Sequence, residues 1–348
     1  LDISGGSVSS AAGAMFTSYG YNVDITATDG INLNGSLLAN GAEVSMSAAS
    51  GGLVSGSISD AGSVTLMAGA SGGNIVMGST TSWGDVYANS QNGSVTTANI
   101  TSDGGSVFLY AKTNVTVGGN IFANYGGDIT IEAGQSGGTG HSHINGNLQS
   151  IGQDDDGEGI RPSNETGGAI SVRSNGGSIN IASGMLIGST GGKGGTGLSG
   201  SGRTGSNGGD IDLYADTDIV IGGNVQIYSR GGKGGNAVAQ GWLDVLSGGT
   251  GGSGGYVELT ANTGTLTLPA TATIGSYGGM GGNGSNGFAG NPGFDALNPS
   301  PGDAGEGGAD GGAGGTGGNG GNILLQAKHL VINGIVESVG GVGGVGGN

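Results

Sequence analysis

One short phrase of residues returns along this chain at a nearly fixed interval. "YNVDITA" (21–27) is followed by "GAEVSMSA" (41–48), "AGSVTLMA" (61–68), "WGDVYAN" (83–89), "GGSVFLYA" (104–111) and "GGDITIEA" (126–133). The first apolar residues of these stretches, Val23, Val44, Val64, Val86, Val107 and Ile129, lie 20 to 22 residues apart. Each stretch alternates apolar and polar residues, as a half-buried strand does. Most units add a second and a third strand, as in "INLNGSLLAN" (31–40), "VTVGGNIFAN" (115–124), "IVIGGNVQIYS" (219–229) and "LVINGIVES" (330–338). A unit this small cannot bury its apolar face alone, whereas stacked copies can. The period therefore predicts an all-β fold, a parallel β-helix of roughly ten coils, right-handed by the general rule for parallel crossovers. In the unit at 208–215, Ile211 and Leu213 are expected to point inward and Asp210, Asp212 and Tyr214 outward. A β-sandwich, the competing fold with evenly spaced short strands, needs antiparallel partners. It does not account for a three-strand order that never changes.

After Ile129 the interval lengthens, the next first-strand residues being Ile170, Ile211, Val257 and Ile323. Residues 1–133 are thus expected to be uninterrupted coils and 134–168 an irregular acidic insertion. Residues 169–348 are expected to be coils carrying Gly-rich insertions at about 190–209, 231–255, 278–321 and 340–348. Three insertions leave just after a third strand, in "IGSTGGKGGTG" (187–197), "IYSRGGKGGNA" (227–237) and "IGSYGGMGGNG" (274–284), and "VESVGGVGGVGGN" (336–348) opens the same way. Equivalent insertions on stacked repeats fall on one face, so they are expected to form one side domain. Glycine recurs every third residue at Gly191, Gly194, Gly197 and Gly200, and again from Gly278 to Gly293 and from Gly302 to Gly320. A period of three is that of the polyproline-II helix, whose bare glycine edge lets neighbours approach closely. The outgoing and returning legs are expected to pack as an antiparallel bundle of such helices, a disordered Gly-rich fringe being the alternative.

Composition narrows the class. Glycine supplies 89 of 348 residues and proline only 5, too little for ordinary collagen. Charged residues are 9% of the chain, against the high charge of most disordered segments. A net charge of −17 with eight Lys and Arg argues against nucleic acid as a partner. There is no Cys, hence no disulfide or thiolate metal site. No apolar run approaches the length of a membrane span, so no membrane insertion is expected. The first residue is Leu1, without a start Met or signal peptide, and a processed or excerpted piece is expected.

Little in the sequence reads as catalysis, and the chain is expected not to be an enzyme. Asp154, Asp155, Asp156 and Glu158, with Arg161 close by, resemble a loose Ca²⁺ loop, but their spacing is not that of an EF-hand. A solvated acidic turn is the plainer reading, and Ca²⁺ is the one cofactor considered. His141 and His143 alternate on one stretch but lack a third zinc ligand. Asp210, Asp212, Asp216 and Asp218 read as a solvated face. "GGKGGTG" and "GSGRTGS" fit no phosphate loop.

The repeated phrase, clearest in "GGDIDLYADTDIVIGGNVQIYSRGG" (208–232) and "GGNILLQAKHLVINGIVESVGG" (320–341), resembles the repeats of filamentous-haemagglutinin-like bacterial surface adhesins. The resemblance covers nearly the whole chain in style. It implies a secreted, elongated, non-catalytic rod for adhesion or matrix building at a cell surface. The period-three insertions depart from that pattern and are similar to the polyglycine bundles of some phage tail-fibre adhesins and small antifreeze proteins. Three readings follow. The first is an extracellular structural rod that self-associates into filaments through its open coil ends. The second is a recognition module binding glycan, a cell-surface receptor or ice through a Gly-rich face that includes Ala309, Thr316 and Asn319. The third is a polysaccharide-active enzyme with a groove near 134–165.

Overall fold

The computed structural model describes residues 1–69, 71, 73–155, 165–196, 200–239, 245–287 and 310–347. Every pairing between named strands is parallel, and the partners are equivalent strands of successive coils. The coil at Val107–Ala111, Val115–Val117 and Ile121–Asn124 shows the plan, three short strands separated by tight corners. Third strands stack into an 11-stranded sheet. First and second strands belong to one 18-stranded sheet, because in some coils they run on as single strands, such as Val23–Leu33 and Val257–Leu268. The result is a parallel β-helix, and eleven coils at about 4.8 Å per step make a rod about 48 Å long. No helix among the described residues is long and apolar enough to cross a membrane.

Register follows the apolar ladder read from the sequence. Val23 pairs with Val44, Val44 with Val64, Val64 with Val86, Val86 with Val107, and Val107 with Ile129. The ladder continues through Ile170, Ile211, Val257 and Ile323 despite the longer intervals. Ile211 and Leu213 are fully buried, while Asp210 and Asp212 face solvent. Each buried Val, Ile or Leu contributes about 1.5–3 kcal/mol of transfer free energy. Repeated in every coil, that term offsets the cost of ordering a backbone this rich in glycine.

A second interior row is polar. Ser150, Ser189 and Ser276 stand next to last in their third strands and are fully buried. Each hydroxyl ties the glycine pair that opens its own coil to the pair that opens the next. Ser150 Oγ donates to Gly127 O at 2.7 Å and accepts from Gly168 N at 2.7 Å. Ser189 does the same with Gly168 O and Gly209 N at 2.9 and 2.8 Å, and Ser276 with Gly255 O and Gly321 N at 2.7 and 2.8 Å. At the corners, Asn and Asp side chains take the backbone N–H one coil further on. Examples are Asp85 to Ser106 at 2.8 Å, Asn99 to Asn120 at 2.8 Å, Asn120 to Asn147 at 3.0 Å and Asn147 to Leu186 at 2.9 Å. The corners thus satisfy donors that would otherwise be left over where strands end.

The first interruption begins later than the sequence pattern suggests. Ser142–Ile144 and Leu148–Ile151 pair in register with strands of the coils on both sides. Residues 134–151 are therefore a regular coil with one short 3₁₀ turn at Gln135–Gly137, not an irregular insertion. The pattern was hidden because a serine, Ser142, fills an inward position that is apolar in most other coils. The chain leaves the stack at Gly152.

Candidate functional site

The insertions form a slab of extended legs attached to the ends of the third strands. Outgoing legs begin at Gly152, Gly191, Gly231, Gly278 and Gly340, and returning legs run through 165–167, 202–208, 246–254 and 312–320. Hydrogen bonds between them recur every third residue. Within the outgoing layer, Gly191 N donates to Arg230 O and Gly194 N to Lys233 O, at 2.9 and 2.8 Å. Gly231, Gly234 and Ala237 donate to Tyr277, Met280 and Asn283 in turn. Within the returning layer, Gly205 N donates to Thr250 O and Gly251 N to Thr316 O, at 2.8 and 2.9 Å. The layers are antiparallel, with Gly249 N to Gly235 O at 2.8 Å and Gly252 N to Gly232 O at 2.9 Å. In each Gly-Gly-X triplet, one glycine N–H bonds within the layer, the next bonds across, and the side chain of X faces out. This three-fold division is what a polyproline-II leg with a bare edge provides.

The first insertion joins the slab although its sequence lacks the triplets. Gly152 N donates to Thr190 O, and Asp155 N to Lys193 O, both at 2.8 Å. Asp154 and Asp155, two of the four Ca²⁺ candidates, each meet a basic side chain from the next leg pair. Lys193 Nζ lies 3.1 Å from Asp154 Oδ2, both side chains being largely exposed. Arg203 Nη1 lies 2.9 Å from Asp155 Oδ2, and that carboxylate is almost fully buried. Asp156 and Glu158 lie outside the described residues. Among the described residues no three His, Asp or Glu side chains converge as metal ligands would.

Two faces carry the outward side chains. The returning layer presents exposed Thr204, Thr250 and Thr316 in one row. Asn207, Ser253 and Asn319 form the next row, in which Asn207 Oδ1 accepts from Ser253 N at 2.8 Å. Thr316 and Asn319 of the expected recognition face are thus neighbours here, whereas Ala309 lies outside the described residues. On the other side, the third-strand ends and the outgoing layer together line an open groove of about 900 Å³. Its lining takes Ile151, Thr190, Arg230, Tyr277 and Val339 from the third-strand ends and Asp154, Lys193, Lys233, Met280 and Val342 from the legs. The Arg230 guanidinium lies 5.0 Å from the ring centre of Tyr228 and 5.3 Å from that of Tyr277. Burial, then a 2.8 Å hydrogen bond to Glu337, pushes the Tyr277 phenol up to about 12. The sequence reading missed this groove, because its residues recur at unequal intervals that become a row only after stacking.

The other singled-out residues serve the ladder. His141 Nδ1 accepts from Ser178 N at 3.0 Å, and the His143 ring centre is 6.3 Å away. Asp210 and Asp218 take the N–H groups of Tyr256 and Thr265, both at 2.7 Å. Asp216 accepts from Gly176 N and from the Tyr214 hydroxyl, which hold its carboxyl below the usual range. Asp212 pairs in register with Glu258 on the outer face. Burial first, and the Glu258 charge second, push its carboxyl up, while Arg173 opposes. Comparison of the chain with protein-family models, with curated proteins and with solved structures gave no match.

Proposed function

We propose that the chain is a non-catalytic, extracellular rod belonging to an adhesive or matrix-building surface protein. The β-helix supplies reach, and the glycine slab supplies a rigid face displayed along it. The observation that carries this reading is the joining of the slab to the rod without a hinge. Third strands run directly into outgoing legs, as Gln226–Arg230 does into Gly231, and the same inter-coil hydrogen bonding continues across the junction. Such a construction holds a surface in place. The repeat style shared with filamentous-haemagglutinin-like adhesins supports the same assignment. Self-association by strand pairing from coil to coil belongs to the same reading. Negative-stain images of the purified chain across a concentration series test the filament part. Fibres with a repeat near the rod length are expected, and monodisperse particles throughout would refute it.

A second reading, recognition of a glycan or receptor, is favoured by the groove. Arg230, Lys233 and Tyr277 combine cationic, aromatic and hydrogen-bonding groups beside bare backbone, a mixture suited to a polar ligand. A glycan array probed with the native chain and with Arg230→Ala/Lys233→Ala separates this reading from the first. Ice binding by the rows of Thr204, Thr250 and Thr316 is tested by ice recrystallisation inhibition.

A further inference from the structure

The middle of the groove is basic in a chain that is otherwise acidic. Lys193, Arg230 and Lys233, three of only eight Lys and Arg, line it, although the net charge is −17. Lys193 pairs with the Asp154 carboxylate, both side chains being largely exposed. Arg230 and Lys233 have no carboxylate within ion-pair distance among the described residues. The nearby acids are engaged elsewhere, Asp103 accepting from Asn124 Nδ2 at 2.6 Å and Glu337 from the Tyr277 hydroxyl at 2.8 Å. Exposed charges farther off than about 8 Å are screened at physiological salt. The groove's own residues, rather than the net charge, therefore set the field inside it.

The cations stand on both sides of the groove. Thr190, Arg230 and Tyr277 are side by side in register at the ends of successive third strands. The bond from Gly194 N to Lys233 O likewise sets the Lys193 and Lys233 legs next to each other. Each step along the rod is about 4.8 Å. Lys193 thus faces the groove from the legs, and one step on Arg230 faces it from the strands, with Lys233 opposite. Glycine seats the aromatic rings beside them. The outer row of the third strands reads Gln149, Gly188, Tyr228, Gly275 and Glu337 in register. A Cβ on Gly275 would stand 2.3 Å from the Tyr277 ring, and one on Gly188 would stand 3.1 Å from the Tyr228 ring. Both rings therefore lie against bare backbone, and the Arg230 guanidinium rests near each. A ring fixed in this way costs little entropy to use as a platform, and its electron-rich face suits the C–H groups of a sugar ring.

We propose that the groove binds an acidic polysaccharide with a carboxylate on every residue, laid along the rod axis, a ligand class that rests on the second reading above, that the groove is a recognition site. Its carboxylates meet Lys193, Arg230 and Lys233, and one sugar ring packs on Tyr277. Arginine takes a carboxylate through two parallel N–H bonds and lysine as a point charge. A residue of an extended sugar chain is close in length to one coil step. Such a chain turns successive carboxylates to opposite sides, as the cations are placed. An acidic peptide fits less well, because an extended backbone brings same-side carboxylates round only every 6.6 Å or about that, and it has no ring to place on Tyr277.

The test is isothermal titration of the full chain with hexagalacturonate and with its fully methyl-esterified form, which keeps the rings and loses the charges. The acid form is expected to bind about tenfold or more tightly than the ester, and its affinity is expected to fall as salt is raised. Lys193→Gln/Lys233→Gln is expected to remove that preference. Asp154→Asn is expected to strengthen binding of the acid form, since it frees Lys193 while Oδ1 still accepts from Lys193 N, a bond of 2.8 Å. Equal binding of acid and ester, both lost in Arg230→Ala/Lys233→Ala, overturns the acidic ligand and leaves the recognition reading standing. Binding of neither hexamer at millimolar concentration also overturns the proposal, and a blank glycan array besides would take the recognition reading with it. Acid-form binding that the lysine variant leaves intact overturns it by placing the site elsewhere. Tighter binding of hexaglutamate than of hexagalacturonate overturns it in favour of an acidic protein segment.

Discussion

Gly281→Ala and Gly343→Ala place the same methyl at the same triplet position on neighbouring legs, yet the slab should respond in opposite ways. At Gly281 the new Cβ would stand 2.0 Å from Gly315 O and 2.7 Å from Gly344 N. An ordinary carbon–oxygen contact is about 3.3 Å, so the legs must part by about 1.3 Å. The bonds from Gly315 to Gly282 O and from Gly318 to Gly279 O, each 2.8 Å, cannot survive that displacement. At about 0.5–1.5 kcal/mol each, two lost bonds cost about 1–3 kcal/mol. The smaller unfolded-state entropy of alanine returns only about 0.4–1 kcal/mol. At Gly343 the nearest atom is Gly315 O at 3.5 Å, no bond is stretched, and only the entropic gain remains. Because repeat rods do not unfold as one unit, the measurement is local hydrogen exchange over 278–287 and 312–320. A local loss of about 1–3 kcal/mol speeds exchange by roughly 5- to 150-fold in Gly281→Ala, with no acceleration in Gly343→Ala. Equal exchange in the two variants would falsify close packing of the legs, and with it the account of why glycine occupies the first position.

Further expectations concern the rod and its charges. Ser276→Ala removes a fully buried hydroxyl that bridges Gly255 O and Gly321 N, stranding both groups. A local destabilisation of about 1–3 kcal/mol is expected, read as faster exchange at Gly321 with the distant 1–133 coils unchanged. Arg203→Met leaves the buried Asp155 carboxylate without its 2.9 Å partner. Breaking a buried pair costs on the order of 3 kcal/mol, so the first leg pair should open, and adding Asp155→Asn should restore part of its protection. The Tyr277 phenol, pushed up to about 12 from 10.0, binds its proton more tightly folded than unfolded. Its contribution is therefore complete below pH 10 and lost as pH rises through about 12. Ultraviolet titration of the native chain should show a late phenolate step that Tyr277→Phe deletes, and an unchanged curve would refute the assignment.

Much of the fold could be read because its physics is local and repeated. All ten first-strand residues picked out by alternation, from Val23 to Ile323, stack in one ladder. Alternation reports burial directly, and the period reports stacking. The glycine triplets likewise announced legs with one bare edge. What escaped was polar and non-local. The buried serines drew no notice, although Ser stands in the third strand of the phrase at 208–232, as Ser229, because the coil-to-coil bridge exists only after stacking. The leg at Gly152–Asp155 has one glycine and no triplet, so its place in the slab is set by the partners at Thr190 and Lys193. The groove is legible only once Arg230 and Tyr277, 47 positions apart, become adjacent in register.

The triplet also explains how one slab can carry surfaces of different chemistry. Two positions of three are committed to backbone contact, and their N–H groups are used within and across the layers. The third is free of that duty. Down the outgoing layer the free position reads Asp154, Lys193, Lys233, Met280 and Val342, passing from charged to apolar while the hydrogen bonds beneath stay between 2.8 and 2.9 Å. Where the free residue is Asn or Asp it also closes the remaining donor of the next leg, as Asp154 does for Lys193 N at 2.8 Å and Asn236 for Asn283 N at 3.0 Å. Substitutions at the third position are thus expected to change what the slab binds while changing its stability by no more than about 0.5 kcal/mol. The same substitutions one or two residues earlier act on the frame itself.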